Sequence, residues 1–258
     1  MLAIYKREFL SYFRAPIGWV AVALFALISG FYFVTMLGTG AVNIASEFSF
    51  LRRFFMVLIP LITMRLFSEE KKNGTEVLLY TSPVPMYKIV IGKYLAAISL
   101  QVLMLSGVFL HMIVLIFLSG RVDASSWGAC IGYLFLSALF IAIGMMCSAL
   151  TENQIVAAVV SFVVILFSQM LGTVATSAQN LLVSLLKSTK LFGLSEEAIY
   201  NAGVGISNAI NWIDPFSKTS DFSAGIFGIV PLFFCLSFAA LFVFLTYRLL
   251  EKKRWSQG

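Results

Sequence analysis

The side chains that could do chemistry gather in one stretch. Phe67 to Ala96 reads FSEEKKNGTEVLLYTSPVPMYKIVIGKYLA. Ser68 is placed to cap a helix, and Glu69 and Glu70 suit the positive end of its dipole. Lys71, Lys72 and Glu76 keep one side polar, while Val77, Leu78 and Leu79 form an apolar patch. Glycine costs about 1 kcal/mol inside a helix, so Gly74 marks a bend or a close contact. Ser82-Pro83-Val84-Pro85 stops any helix. A short helix that is charged and apolar at once has the chemistry of a docking lever for a soluble partner. A solvated loop without a partner fits the same residues, and the residues alone leave the choice open.

The chemistry that is missing narrows the function. No G-x-x-x-x-G-K-[ST] phosphate loop occurs, so the chain is not expected to bind ATP in the usual way. His111 is the only histidine, which excludes histidine metal clusters. Neither Ser106-Gly107 nor Ser119-Gly120 has the glycine two residues earlier that an intramembrane serine protease needs, and the Glu69-Glu70 pair lacks the histidines of a metalloprotease. His111 therefore reads as a helix-packing or pore-lining residue. Cys130, Cys147 and Cys235 all fall in apolar blocks, at spacings that fit no metal site or disulfide framework.

These residues must be positioned by elements built for lipid. The chain is 60% hydrophobic and 12% charged, against about 25% charged in a soluble domain. Its apolar residues fall into six blocks, roughly 17–37, 48–67, 94–118, 127–150, 154–176 and 222–247. A spanning helix needs roughly 20 apolar residues, so six spans use nearly the whole chain and leave no large soluble domain. Residues 2–14 form a candidate amphipathic helix, with Leu2, Tyr5, Phe9, Tyr12 and Phe13 on one face and Arg7, Ser11 and Arg14 on another, suited to the headgroup layer. Pro16 and Gly18 are expected to break it before the first span, which is too long for a signal-peptide core. The second block is the awkward one. Arg53 and Arg65 bracket a stretch of about 18 Å of helix, against a hydrocarbon core of about 30 Å, so its ends must snorkel or face protein and water. Pro60 is expected to kink it. Thr151-Glu152-Asn153 makes a tight hairpin between the fourth and fifth blocks, and 177–221 is a long mixed segment.

Six spans put both termini on one side. With that side cytoplasmic, twelve lysines and arginines lie inside and six outside, while the acidic residues divide six and six. The net +6 charge is thus a topology signal, as the positive-inside rule expects, and not a nucleic-acid patch.

The run from Pro60 through Arg65, Ser68-Glu69-Glu70-Lys71-Lys72, Gly74-Thr75-Glu76 and Leu78-Leu79 to Ser82-Pro83-Val84, followed by Gly92-Lys93-Tyr94-Leu95-Ala96, resembles permease subunits of ABC-2-type transporters. Gly144 to Gln154, and Asn211-Trp212-Ile213-Asp214-Pro215-Phe216 with Asp221-Phe222 and Gly225, extend the likeness over nearly the full chain. It is nearest the six-span gliding-motility and copper-accessory branch, although Phe222–Pro231 lacks the charged residues that branch has after its glycine. The resemblance implies that 68–85 supplies a coupling helix for a cytoplasmic ATPase subunit dimer. Its contact residues would be Glu69, Glu70, Lys71, Gly74, Thr75, Glu76, Leu78 and Leu79. Thr151, Glu152 and Asn153 would be a smaller second contact, and 2–14 the interfacial helix. It further implies a second permease copy or a related permease, ATP and Mg held by the partner and no cofactor in this chain. An accessory extracytoplasmic protein would be compatible with it.

Arg52 and Arg53 have two readings. They line an outer mouth on a possible substrate pathway and meet an anionic substrate, or they snorkel from a short helix to headgroups; snorkelling is the expectation. The full expectation is an all-α, six-span, multi-pass protein of the inner or plasma membrane, one permease domain over 1–258, with 177–221 extracytoplasmic and both termini cytoplasmic. It would be the non-enzymatic permease subunit of an ATP-binding-cassette exporter, in contact with membrane lipid. The alternative is a non-ABC channel or a structural scaffold.

Overall fold

In a computed structural model, which describes residues 1–40, 42–77, 84–118, 120–189 and 195–256, the described chain is helical throughout and contains no strand. Helix α1 (Leu2–Arg14) ends where Ala15 turns extended, and α2 (Pro16–Thr39) starts on Pro16, whose missing N–H costs nothing at a first helical position. The Asn43 side chain accepts from Ala45 N at 2.9 Å and caps α3 (Ile44–Arg52). Then come α4 (Phe55–Thr63), α5 (Ser68–Lys72), α6 (Met86–Phe117), α7 (Ala124–Leu150) and α8 (Gln154–Thr189). The chain finishes with α9 (Glu196–Ile213), α10 (Pro215–Lys218), a 3-10 turn (Asp221–Ala224) and α11 (Ile229–Ser256).

Five helices, α2, α6, α7, α8 and α11, are long and apolar enough to cross a membrane. Their outward faces carry Phe31, Val34, Val163, Phe167, Val230 and Phe233 in the open. A water-soluble monomer rarely shows contiguous apolar surface on this scale. Helix α7 is the axis of the protein, and most of its residues are buried. Gly128, Gly132, Ser137, Ala142, Gly144 and Ser148 keep its surface thin, so neighbouring backbones approach closely, the usual basis of helix packing in lipid.

The second apolar block departs from one kinked helix. It is two nine-residue helices, α3 and α4, joined at Arg53-Phe54, and the chain passes through Pro60 while still helical. The break falls at Arg53-Phe54 because Arg52 is anchored there: its Nη1 donates to Thr219 O at 3.2 Å, and its backbone carbonyl accepts from Gln169 Nε2 at 3.2 Å. The two pieces run beside α7 for most of its length. Phe48 and Arg52 meet Tyr133 and Gly132 near its start, Thr63 meets Gly144, and Phe67 meets Ser148 near its end.

The 177–221 segment is also more ordered than a mixed loop. Helix α8 continues to Thr189, and α9 folds back along it, with Gly203 against Val183 and Gln179. Ser195 caps α9 by accepting from Ala198 N, and Asp214 caps α10 by accepting from Phe216 N at 2.9 Å.

Candidate functional site

At the end of the molecule where α1 lies, four chain segments meet around the acidic-basic motif. Helix α5 is five residues long, too short to be stable alone, and its start is held by another helix. Ser148 Oγ of α7 accepts from both Phe67 N at 3.0 Å and Ser68 N at 3.1 Å. Ser68 does not cap the helix, as its position in sequence suggests; its hydroxyl donates back to Met64 O. Lys71 is buried and donates to Ala149 O, at the edge of the turn that holds Thr151, Glu152 and Asn153. Burial first, and nearby Lys253 second, push the Lys71 ammonium down to about 8. The tail of α11 therefore reaches the same place.

Helix α5 ends at Lys72, and Gly74 just beyond it has a φ of +68°, which suits glycine and reverses the chain. Thr75 folds back, its N–H donating to Glu70 O at 2.9 Å. Gly74, Thr75 and Val77 are exposed, and Glu76 is half-buried. Leu78 and Leu79, and the 78–83 part of the 68–85 segment, lie outside the described residues. Glu69 pairs with Arg65 one helical turn earlier, at 2.9 Å. The sequence-derived contact residues that are described thus share one end of the protein, with the second contact turn beside the first.

The centre of this site is a charge node that sequence reasoning missed. Lys93 Nζ lies 3.1 Å from Glu8 Oε2 and 3.0 Å from Glu70 Oε1, with its side chain buried. Arg7 closes the node from outside, 2.6 Å from Glu8 and 3.4 Å from Glu70. Helices α1, α5 and α6 are thereby tied by a single ammonium. Lys93 belongs to the Gly92-Lys93-Tyr94 motif and reads in sequence only as the re-entry into a span. Glu8 interrupts the basic face of α1, and that interruption is the signal that could have found it. The α1–α6 contact is close: a Cβ on Gly92 would sit 3.1 Å from Ile4. Tyr12 anchors the other end of α1, donating to Ile62 O at 2.9 Å beneath the Arg65 guanidinium.

The two acids share Lys93 but shift in opposite directions. Burial acts against the Glu8 carboxylate, yet Lys93 and then Arg7 outweigh it and hold Glu8 below the usual range. Burial also dominates at Glu70, where Lys93 is only partly compensating and Glu8 repels, so Glu70 lies above its usual value. One Glu70 oxygen is buried without a partner among the described residues, in keeping with that direction. Ionised Glu8 therefore contributes stability above the ordinary carboxylate pKa of about 4.3, lost as pH falls through its lowered value. Ionised Glu70 costs stability, fully so above its raised value, and the cost shrinks as pH falls from there and is gone below the ordinary carboxylate value. At pH near 7, Glu8→Gln is expected to lower thermal stability by about 1–3 kcal/mol, and Glu70→Gln to leave it unchanged or raise it. Melting of the detergent-purified protein checks this, and a larger loss from Glu70→Gln would reverse the ordering.

The opposite end holds the remaining candidates. Arg53 is exposed, whereas Arg52 is 7% exposed and packs between Gly132 and Thr219. Its short helix runs into protein and not into headgroups, so the snorkelling expectation fails for Arg52. A cavity of about 350 Å³ opens beside it, lined by Ser49, Arg53, Gln169, Phe216, Ser220 and Ser223 with Arg52 itself. Nearer the start of α3, Glu47 is fully buried, and its Oε1 accepts from Ser29 Oγ at 2.6 Å and lies 2.8 Å from His111 Nδ1. The His111 ring stacks on Phe33 at 4.2 Å. Serine and glutamate meet the same imidazole nitrogen and bond each other directly, so this is no relay for a nucleophile. It clamps α2, α3 and α6, in keeping with the helix-packing reading of His111.

A multi-pass helical membrane protein with a polar platform at one end is the class that this fold and site define. The sequence matches the family described as ABC-2 family transporter protein over residues 2–255, and the chain belongs to that family. Members are membrane subunits of ABC transporters, carry no ATPase site of their own and generally work with an ATPase subunit. No curated protein is similar enough to the chain to count as a match.

Proposed function

We propose that this chain is the transmembrane permease subunit of an ATP-binding-cassette exporter in the inner or plasma membrane, worked by two cytoplasmic ATPase subunits that bind ATP and Mg. The carrying observation is the way 68–77 is tied to its surroundings. Ser148 holds its start, Lys93 joins Glu70 to α1 and α6, and Lys71 reaches the 149–153 turn. Force applied to the exposed Gly74–Val77 face is then passed to three helices at once. The docking residues are those of this face and, next in the sequence, Leu78 and Leu79, with Thr151, Glu152 and Asn153 as the second contact.

The same end collects Arg7, Arg65, Lys71, Lys93 and Lys253, which supports a cytoplasmic orientation for it and for both termini. The course of α3 and α4 along α7 supports counting them as a sixth, broken crossing, which an anchored Arg52 and neighbouring helices make tolerable in lipid. Helix α1 lies in the headgroup layer. A second permease, identical or related, completes the pathway, and Arg52 and Arg53 belong to its outer mouth.

The test is cross-linking and coupled turnover in one preparation. Thr75→Cys in the chain, co-expressed with its ATPase subunit, is expected to cross-link to it in a nucleotide-dependent way. Val77→Asp with Leu78→Asp is expected to cut co-purified ATPase at least about tenfold, as one buried charge at an interface does. Equal ATPase recovery with the double variant removes the docking assignment. Cleavage from outside intact cells of a protease-sensitive tag after Gly258 reverses the orientation.

A further inference from the structure

The geometry points to a binding site for an anionic amphiphile, an anionic lipid held with its head on Arg52 and its chain in the cleft between α7, α8, α9 and α11. The inference deepens the transport reading by naming the class of molecule that occupies the pathway, and it rests on that reading only for calling the occupant cargo.

Arg52 is the first observation. Its side chain is over nine-tenths buried, and only Nη1 is bonded, to Thr219 O and Oγ1. Among the described residues, Nε and Nη2 have no hydrogen-bond partner and no carboxylate lies within 4.0 Å of the guanidinium; both nitrogens are closed off from solvent, Nη2 against Gly132 of α7, so what Arg52 presents to its surroundings is an uncompensated charge and not an open donor. An arginine withdrawn from water without a countercharge is costly by several kcal/mol. The nearby cavity has the composition that would supply an anion with partners: Arg52 and Arg53 for charge, and Ser49, Gln169, Ser220 and Ser223 for hydrogen bonds. Guanidinium groups suit phosphate and carboxylate oxygens in particular.

The second observation is what adjoins it. A cleft of about 590 Å³ is lined by Phe140, Ile143, Phe167, Leu171, Ile213 and Phe238 among others, with Ser168 the one polar side chain on its wall. Both volumes fall within the range of about 300–1,000 Å³ usual for ligand sites. Consecutive residues divide between the two spaces: Ser168 and Pro215 face the apolar cleft, Gln169 and Phe216 the polar cavity. Phe216 stands at the boundary, its ring 5.2 Å from that of Phe140. The cleft follows α8 from Val164 to Val174, roughly 15 Å along the helix, with Gln169, which donates to the Arg52 carbonyl, midway along it; on α7 it takes in Leu139, Phe140 and Ile143, about two to three turns past Gly132, where Arg52 packs. A cation beside an apolar slot matches an anionic lipid in head and tail. A free anion leaves the slot empty, and a neutral lipid leaves Arg52 unpaired.

The test uses the purified chain in nanodiscs of phosphatidylcholine carrying a minor fraction of spin-labelled phosphatidylglycerol. The wild type is expected to immobilise the anionic label about tenfold more tightly than a phosphatidylcholine label. Arg52→Gln is expected to erase that preference, and Leu171→Trp, which fills the cleft with Arg52 intact, to release the labelled chain. Inorganic phosphate alone is expected not to displace the lipid. Unchanged preference in Arg52→Gln, displacement by phosphate alone, or a cross-link placing an acidic residue of a second copy against Arg52 would each overturn the assignment. The measurement needs no ATPase, so a failed transport reading leaves it standing, and its own failure leaves the docking experiment untouched.

Discussion

Replacing Lys93 with methionine is expected to disconnect the 68–77 segment from α1 and α6. The ammonium touches both Glu8 and Glu70 from the buried side, and it sits 5.2 Å over the Phe67 ring with 1% of the residue exposed. Methionine keeps most of the volume and the contact with Phe67. It leaves two carboxylates facing each other, with Arg7 binding them from the exposed side. Breaking a buried ion pair by removing one partner costs about 3–5 kcal/mol. The value should fall at the low end, because Glu70 already lies above the usual carboxylate range and takes up a proton readily.

The expected outcome has two parts. Thermal stability falls by an amount that Glu70→Gln in the same chain largely restores, since the second change removes the repulsion. ATPase subunits still co-purify, because the Gly74–Val77 face is intact, while transport-linked ATP turnover drops by about tenfold or more. Restored stability with turnover still low separates coupling from folding. Full turnover in Lys93→Met would show that force does not pass through this node. The energy to be measured is the coupling term of a double-mutant cycle, since the three residues act as a unit.

The second large effect is expected where α4 and the 3-10 turn cross α7. A Cβ on Gly144 would lie 2.3 Å from Thr63 Oγ1 and 2.9 Å from its Cβ, and one on Gly128 would lie 2.3 Å from Phe222 O. Gly144→Ala and Gly128→Ala are each expected to cost about 1–3 kcal/mol by overpacking, with Gly144→Leu preventing recovery of monodisperse protein. The two sites differ in what stands opposite. At Gly144 it is a side chain, so Thr63→Ala should recover part of the loss. At Gly128 it is a backbone carbonyl, and no side-chain change recovers it. Size-exclusion profiles and denaturation midpoints of the four variants check the contrast. Equal tolerance of alanine at both sites would mean that α7 is not packed at these distances.

How far the sequence alone reaches follows from which interactions are local. Hydropathy over about 20 residues decides whether a segment prefers lipid, so the all-helical, multi-pass character, the tight turn at Thr151–Asn153 and the bounds of α1 are legible from residue order. Gly74 announces its turn for the same reason, because the cost of a left-handed φ belongs to one residue. The motif around Glu69 and Glu70 marks the platform, since charge clustered between apolar blocks has to face water or a partner.

What only the tertiary structure decided depends on residues far apart in the chain. Lys93 and Glu8 are 85 positions apart, Glu47 and His111 are 64 apart, and Arg52 and Thr219 are 167 apart. No local pattern says which lysine will be withdrawn between two acids, or that an arginine beside a polar turn will fold inward. Arg52 turns inward where the thin surface of α7 lets α3 pack against it, and Lys93 is withdrawn from water where α1 packs closely on Gly92 of α6. Residue order sets the solvent each segment prefers. The packing sets which charges lose that solvent, and in lipid a charge that loses water must be given a partner.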